Sequence, residues 1–332
     1  MVDEANPTLA DVLQARLRIR PYLEPTPLVF AAEISRHIGA EVWLKCEFML
    51  PTRAFKVRGG LNLVSREVEL QTLGSSGLTA ASTGNHGQSV AYAGHAFGLP
   101  VTIFAPQRAN PVKVKAMQEL GAGVQLVGED FDEAREACES YAHKTGARYV
   151  HSMNEPLLVA GVGTAYLEAL MQVPTADVLV VPIGGGSGAA AAGLVAKSIN
   201  PDIRVIGVQA EGAPAVYRSF RSGRLETTRA ANTAAEGLAT RVAFALPVNM
   251  IRQYVDDIVL VSDAQMQRAQ ALLFQDLRVF PEMAGAASLA AALQFADSWA
   301  GSRIILAVTG ANASFQEIAP VWDLLKSENL WP

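Results

Sequence analysis

Val178-Leu179-Val180-Val181-Pro182-Ile183-Gly184-Gly185-Gly186-Ser187-Gly188-Ala189-Ala190-Ala191-Ala192-Gly193 holds the plan of the fold in one stretch. A β-branched apolar run without alternation reads as a strand covered on both faces, which is how parallel strands sit between helix layers. Glycines then let the backbone turn sharply, and an alanine run reads as a helix that can approach the sheet closely. Backbone N–H groups at such a loop and helix start form a cup for an anion, and a phosphate is the natural guest.

The same alternation recurs along the chain. Short β-branched runs predict strands at 41–46, 78–82, 101–105, 123–127, 205–209, 257–261 and 304–309 besides 178–183. Helical patterns lie at 9–20, 55–69, 87–97, 111–120, 131–145, 157–171, 188–198, 263–276, 284–299 and 314–325. Asn110-Pro111 and Ser262-Asp263 are helix starts, with a capping side chain or a proline in the first turn. Strand and helix in turn predict an α/β chain of mostly parallel sheets flanked by helices. Residues 213–248 lack a clear period and read as a loop-rich functional rim.

A length of 332 residues predicts two moderate domains, interleaved because no linker or repeat separates the halves. Half the residues are hydrophobic and 18% are charged, which excludes intrinsic disorder. A net charge of −5 without a Lys/Arg cluster argues against nucleic acid or an anionic membrane as partner and favours a small molecule. The longest apolar runs fall well short of the ~18 residues of a membrane span. Met1-Val2-Asp3-Glu4-Ala5-Asn6-Pro7 is acidic where a signal peptide is basic, so a cytoplasmic protein is expected. Cys46 and Cys138 are too few for a disulfide scaffold and lack zinc-type spacing. His37, His86, His95, His143 and His151 are scattered, so no metal site is expected. No GxSxG elbow is present.

Three further segments can carry chemistry. In Pro51-Thr52-Arg53-Ala54-Phe55-Lys56-Val57-Arg58-Gly59-Gly60, an apolar, electropositive surround would lower the Lys56 pKa and leave a nucleophilic amine; the plainer reading is an exposed helix lysine beside a structural arginine. Ser82-Thr83-Gly84-Asn85-His86 follows a buried strand and opens a helix, a cradle for a carboxylate or phosphate. Thr309 ends the last strand before Gly310, where it can face a ligand ring or cap a turn. The 184–188 loop has its own alternative: Gly184 and Gly186 are spaced as a dinucleotide fingerprint and Glu211 lies near the distance of a ribose-binding acid, which would make a nicotinamide-dependent oxidoreductase.

Taken in order, Ala54-Phe55-Lys56-Val57-Arg58-Gly59, Ser82-Thr83-Gly84-Asn85-His86, the loop Gly184-Gly185-Gly186-Ser187-Gly188 and Thr309-Gly310-Ala311-Asn312 resemble the β-family (fold type II, tryptophan synthase β-like) of pyridoxal-phosphate enzymes, within it the threonine/serine dehydratases and serine racemases. Thr26-Pro27-Leu28, Leu44-Lys45-Cys46-Glu47 and Asn110-Pro111-Val112-Lys113 extend the likeness over nearly the whole chain. The resemblance implies two interleaved domains with pyridoxal 5'-phosphate in the cleft between them: a smaller one at 51–150 and a larger one from 1–50 plus 151–332. It implies that Lys56 forms the Schiff base and Phe55 packs beside the ring. Asn85 would meet the ring's 3′ oxygen, while Ser82, Thr83, Asn85 and His86 would hold the substrate carboxylate. Gly184, Gly185, Gly186, Ser187 and Gly188 would cradle the phosphate, and Thr309 would face the pyridine nitrogen as a neutral hydroxyl that favours β-elimination.

The implied reaction is dehydration of a β-hydroxy-α-amino acid, threonine, serine or a bulkier analogue, to a 2-oxo acid and ammonia, by a homodimer. Racemisation or β-replacement is the alternative within the family, and a silent amino-acid binder another. Ala54, Ser187, Glu236-Gly237-Leu238 and Thr309 depart from the family pattern, as does Thr83 where racemases carry serine. Glu211 and Ala215 match the divalent-metal pattern of some relatives but Tyr217 does not. With no regulatory extension expected after the last helix, a catabolic or specialised role is the expectation.

Overall fold

The computed structural model describes residues 6–326, so the acidic start at 1–5 and the chain end at 327–332 lie outside the described residues. The strands are β1 (Leu28–Phe30), β2 (Glu41–Cys46), β3 (Leu78–Ala81), β4 (Val101–Ala105), β5 (Gly123–Leu126), β6 (Arg148–Tyr149), β7 (Val178–Pro182), β8 (Arg204–Ala210), β9 (Asp257–Val261) and β10 (Arg303–Val308). They form two sheets, ordered β5-β4-β3-β6 and β1-β2-β10-β7-β8-β9. Every pairing is parallel except β1 with β2. The strands β3, β7 and β10 are buried almost throughout, as unalternating apolar runs require.

The chain divides into two compact units. The first takes the chain up to Glu24 together with Leu50–Thr164, and contains the four-stranded sheet. The second takes Pro25–Met49 and the chain from Ala165, and contains the six-stranded sheet. Beside the 51–150 segment expected for the smaller domain, the first unit also holds helix Leu9–Ile19 and the start of helix Pro156–Gln172. The reason for the first addition is local: Arg18 donates to Glu69 at 3.1 Å and to Asn62 at 3.2 Å, both on helix Lys56–Glu69, and Ile19 joins the core of Val57, Leu61 and Val64.

Helix starts follow their capping residues. Thr8 and Ser262 each make a capping box, with Asp11 and Gln265 answering at the third position. The Asn110 side chain accepts from the Val112 amide with Pro111 in the first turn, and Asp130 and Ser314 cap in the same way. In the second unit, helices Ser187–Ile199 and Met283–Gln294 are buried along most of their length. Their alanines let them lie close on the sheet.

The structure refines three readings. Residues 213–248 are loop-rich as expected, but helix Ala215–Ser222, the 3-10 turn Glu236–Leu238 and the start of helix Ala245–Tyr254 also lie within them. The first of these is only two turns long, too short for a period to show, and buries Ala215, Val216 and Ser219. The helix expected at 284–299 breaks at Phe295 into Met283–Gln294 and Ala296–Trp299. Strands β1 and β6 and helix Ala32–Ile38 were not foreseen, again because three, two and seven residues carry little pattern. Among the described residues no helix is long and apolar enough to cross a membrane.

Candidate active site

The residues singled out by sequence fall into two groups, one in each unit. In the first unit, Lys56 is the opening residue of helix Lys56–Glu69 and Phe55 its cap. Lys56 Nζ lies 5.6 Å from the centre of the Phe55 ring and donates to the Ser152 carbonyl at 3.1 Å. The Lys56 main-chain carbonyl accepts from the Ser89 hydroxyl at 2.7 Å, so both ends of the residue are held. Burial pulls its ammonium down from 10.5 to about 8, which brings the free amine within reach of neutral pH. Arg58 has no part in that shift. It is fully buried and donates to Thr164 at 3.1 Å, tying its helix to the middle of helix Pro156–Gln172.

Parallel strand β3 delivers the second segment, at the carboxyl edge where ligands of open α/β sheets bind. The Ser82 hydroxyl oxygen accepts from the amides of Gly84 at 3.0 Å and Gly87 at 2.8 Å, so it shapes the turn from within. Thr83 and Asn85 are half-buried, and Asn85 and His86 open helix Asn85–Ala96. His86 Nε2 lies 2.9 Å from the Val150 carbonyl, which can only accept, so this nitrogen carries the proton. Burial, then the nearby charge of Lys56, pushes the His86 pKa down to about 3, and the ring is neutral. Its Nδ1 atom is buried without a partner, and so is Nε2 of Gln88 two residues on. Two orphaned polar atoms in the first turn of one helix mark a place made for a polar guest.

Lys113 stands in sequence only as the end of the stretch Asn110-Pro111-Val112-Lys113. The structure buries it against this turn: a Cβ on Gly84 would come within 2.7 Å of Lys113 Cδ. A buried cation beside a helix start adds to the attraction for an anion. Its distance of nearly thirty residues from the turn hid it, though Asn110-Pro111 placed it in a helical first turn.

In the second unit, β7 runs into the 184–188 loop and helix Ser187–Ile199. Gly186 has φ +100° and caps that helix; Ser187 and Gly188 are buried in its first turn. The amides of Ser187, Gly188 and Ala189 precede the first intrahelical acceptor and need one from outside. A Cβ on Gly184 would lie 2.2 Å from the Gly237 carbonyl, so the Glu236–Leu238 turn rests on bare backbone. Thr309, buried, follows β10, which pairs with β7 in parallel, so the loop and the hydroxyl emerge at the same sheet edge. The Ser288 hydroxyl stands 3.0 Å from the Val180 carbonyl and 3.1 Å from that of Ala307, bridging the two strands just before that edge. Glu211, the acid of the dinucleotide reading, is exposed. Among the described residues no group of three or more His, Cys, Asp or Glu is arranged to hold a metal.

In the first unit a half-buried amine of lowered pKa and a helix-start cradle with orphaned polar atoms, and in the second a glycine loop at a helix start, each suit one part of a phosphate-bearing carbonyl cofactor. Residues 19–310 match the model of the family described as pyridoxal-phosphate dependent enzyme, and the chain belongs to that family. The nicotinamide reading of the 184–188 loop gives way to this match. The chain is 37% identical over 305 residues to the L-threonine ammonia-lyase of Thermotoga maritima, covering 92% of this chain and 75% of that protein. It is 33% identical to the L-threonine dehydratase catabolic TdcB of Staphylococcus aureus, covering 95% and 91%. Among solved structures, maize serine racemase superposes with a TM-score of 0.90 at 31% identity over 97% of both chains. A threonine deaminase from T.th. does so at 0.88 and 32%, over 93% of this chain and 99% of that one. The residues present fit pyridoxal phosphate: a lysine amine for its aldehyde, orphaned buried polar atoms on the Asn85–Ala96 helix, and a cup that side chains would fill.

Proposed function

We propose that the chain is an ammonia-lyase that converts a β-hydroxy-α-amino acid, threonine, serine or a bulkier analogue, to a 2-oxo acid and ammonia. The observation that carries the reading is Lys56, a half-buried amine with its pKa lowered to about 8 and its Nζ held by the Ser152 carbonyl. Its similarity to L-threonine ammonia-lyases supports the substrate class. Lys56 would hold the cofactor, with Phe55 beside the ring and Asn85 toward the ring's 3′ oxygen. Gly184, Gly185, Gly186, Ser187 and Gly188 would hold the phosphate, and Thr309 would meet the ring nitrogen. When bound, pyridoxal phosphate supplies an electron sink for the charge left on the substrate Cα.

The chain's own residues do the rest. The half-buried turn of Thr83 and Asn85, with the neutral His86 behind it, orients the substrate carboxylate on the helix start, and Ser82 holds that turn in shape. As a free amine, Lys56 would take the substrate Cα proton onto Nζ. As a neutral hydroxyl, Thr309 offers no acid to the ring nitrogen, which favours loss of the β-hydroxyl over longer-lived carbanion chemistry. A homodimer in the cytoplasm is part of the proposal.

The test is a panel of hydroxy amino acids, L and D, threo and erythro, with 2-oxo acid and ammonia measured together. Borohydride should fix the cofactor's mass on the Lys56 peptide, and Lys56→Ala should abolish both that mass and turnover. Colourless protein that borohydride leaves unaltered would sink the proposal. Change of configuration without ammonia release would replace it with racemisation.

A further inference from the structure

We propose that Arg148 and Glu155 are positioning residues for Lys56: their ion pair clamps the 150–155 loop, whose main-chain carbonyls hold both Lys56 and His86. The inference rests on the reading of Lys56 given above. Lys56 Nζ is bonded to the carbonyl of Ser152, and His86 Nε2 to that of Val150. Both acceptors lie on a connection between β6 and helix Pro156–Gln172, not on a regular element. The placement of the amine is therefore only as exact as that loop is stiff.

The loop is held from inside and from behind. Arg148 closes a two-pronged contact on Glu155, Nη1 to Oε1 at 2.9 Å and Nη2 to Oε2 at 3.0 Å, while its Nε donates to Glu67 on helix Lys56–Glu69 at 2.8 Å. Arg148 Nη1 also donates to the Tyr149 carbonyl. Glu155 Oε1 accepts from the His151 amide at 3.2 Å. His151 Nδ1 accepts from the amides of Met153 at 3.2 Å and Asn154 at 3.0 Å, which winds the loop around the ring. The pair is shielded, Glu155 and Glu67 at 12% and 13% side-chain exposure and Arg148 at 32%, so it is not a solvated surface contact. Strand β6, which carries Arg148, is registered on β3, Leu78 opposite Arg148 and Thr79 opposite Tyr149. The same fork thus ties the Lys56 helix, the strand that leads into the 82–86 turn, and the loop that touches both functional side chains.

The experiment compares holoenzyme carrying Arg148→Met, Glu155→Gln, both together, and Arg148→Lys. Glu155→Gln keeps the shape of the side chain and serves if Arg148→Met folds poorly. Amide hydrogen exchange at Met153 and Asn154 should rise roughly tenfold in each single variant and no further in the double. With L-threonine, kcat should fall roughly tenfold to a hundredfold at nearly constant KM, as for a displaced reacting group, and Arg148→Lys should recover part of it. Unchanged loop exchange, a kcat within about twofold of wild type, or single effects that add in the double variant would overturn the proposal. The exchange measurement needs no turnover. A wild-type chain that carried no cofactor on Lys56 would thus refute the functional reading separately from the clamp.

Discussion

Gly186→Ala puts a methyl group where the structure has neither the backbone conformation nor the space for it. At φ +100° and ψ −6° a Cβ meets the strain of the left-handed region, about 1–2 kcal/mol. The same Cβ would lie 2.9 Å from Ile251 Cδ1 and 3.1 Å from Pro247 Cβ. The isoleucine methyl can swing aside, the proline ring cannot, and crowding of this kind adds about 1–3 kcal/mol. The expected loss is about 2–5 kcal/mol. Gly223→Ala is the internal control: φ is +78° at a helix end, and nothing lies within 4 Å of the new Cβ, so only the backbone strain applies. Denaturant unfolding of the two variants, at matched cofactor concentration, separates strain from crowding. Fluorescence titration with pyridoxal phosphate should show weakened binding for Gly186→Ala alone, because relief of the clash turns the amides of the helix start. Equal stability loss and equal cofactor affinity in the two variants would refute the reasoning.

Other changes test other parts of the site and its support. Lys56→Met should stabilise the cofactor-free protein by about 3 kcal/mol at pH 7. Folding lowers the Lys56 pKa from 10.5 to about 8, so the unfolded chain holds the proton more tightly and the wild type gains stability as pH rises. The gap should close between pH 8 and about 10.5, and a gap independent of pH across that range would contradict the burial of the amine. Lys45→Met removes the ammonium that sits 2.6 Å from Glu168 and 3.8 Å from Glu47, all three buried, and should cost about 3–5 kcal/mol in urea melts. Adding Glu168→Gln should return part of that loss; a single variant within ~1 kcal/mol of wild type would mean the network is already compensated. Ser288→Ala, which strips the bridge between the Val180 and Ala307 carbonyls, should cost about 1–3 kcal/mol and loosen cofactor binding at the neighbouring loop.

Much of this molecule was written in local sequence. Strands β2, β4 and β9 and helix 131–145 stand at the residues their patterns indicate, because burial on both faces leaves an apolar run and capping residues announce a first turn. The glycine loop, the 82–86 turn and Lys56 were legible for the same reason: each lies at a junction between regular elements, where glycine, hydroxyl and amide side chains replace the periodic apolar ones. Tertiary structure decided what no local pattern contains. It inserted β10 between β2 and β7, brought the Val150 carbonyl to His86 across 64 residues and the Ser152 carbonyl to Lys56 across 96, and buried Lys45 against Glu168 across 123. It also turned the Ser82 oxygen inward onto Gly84 and Gly87 and set Lys113 against the turn. A main-chain carbonyl carries no sequence signature as a partner, since every residue has one; only the folded path of the chain selects which of them meets the Lys56 amine or the His86 imidazole.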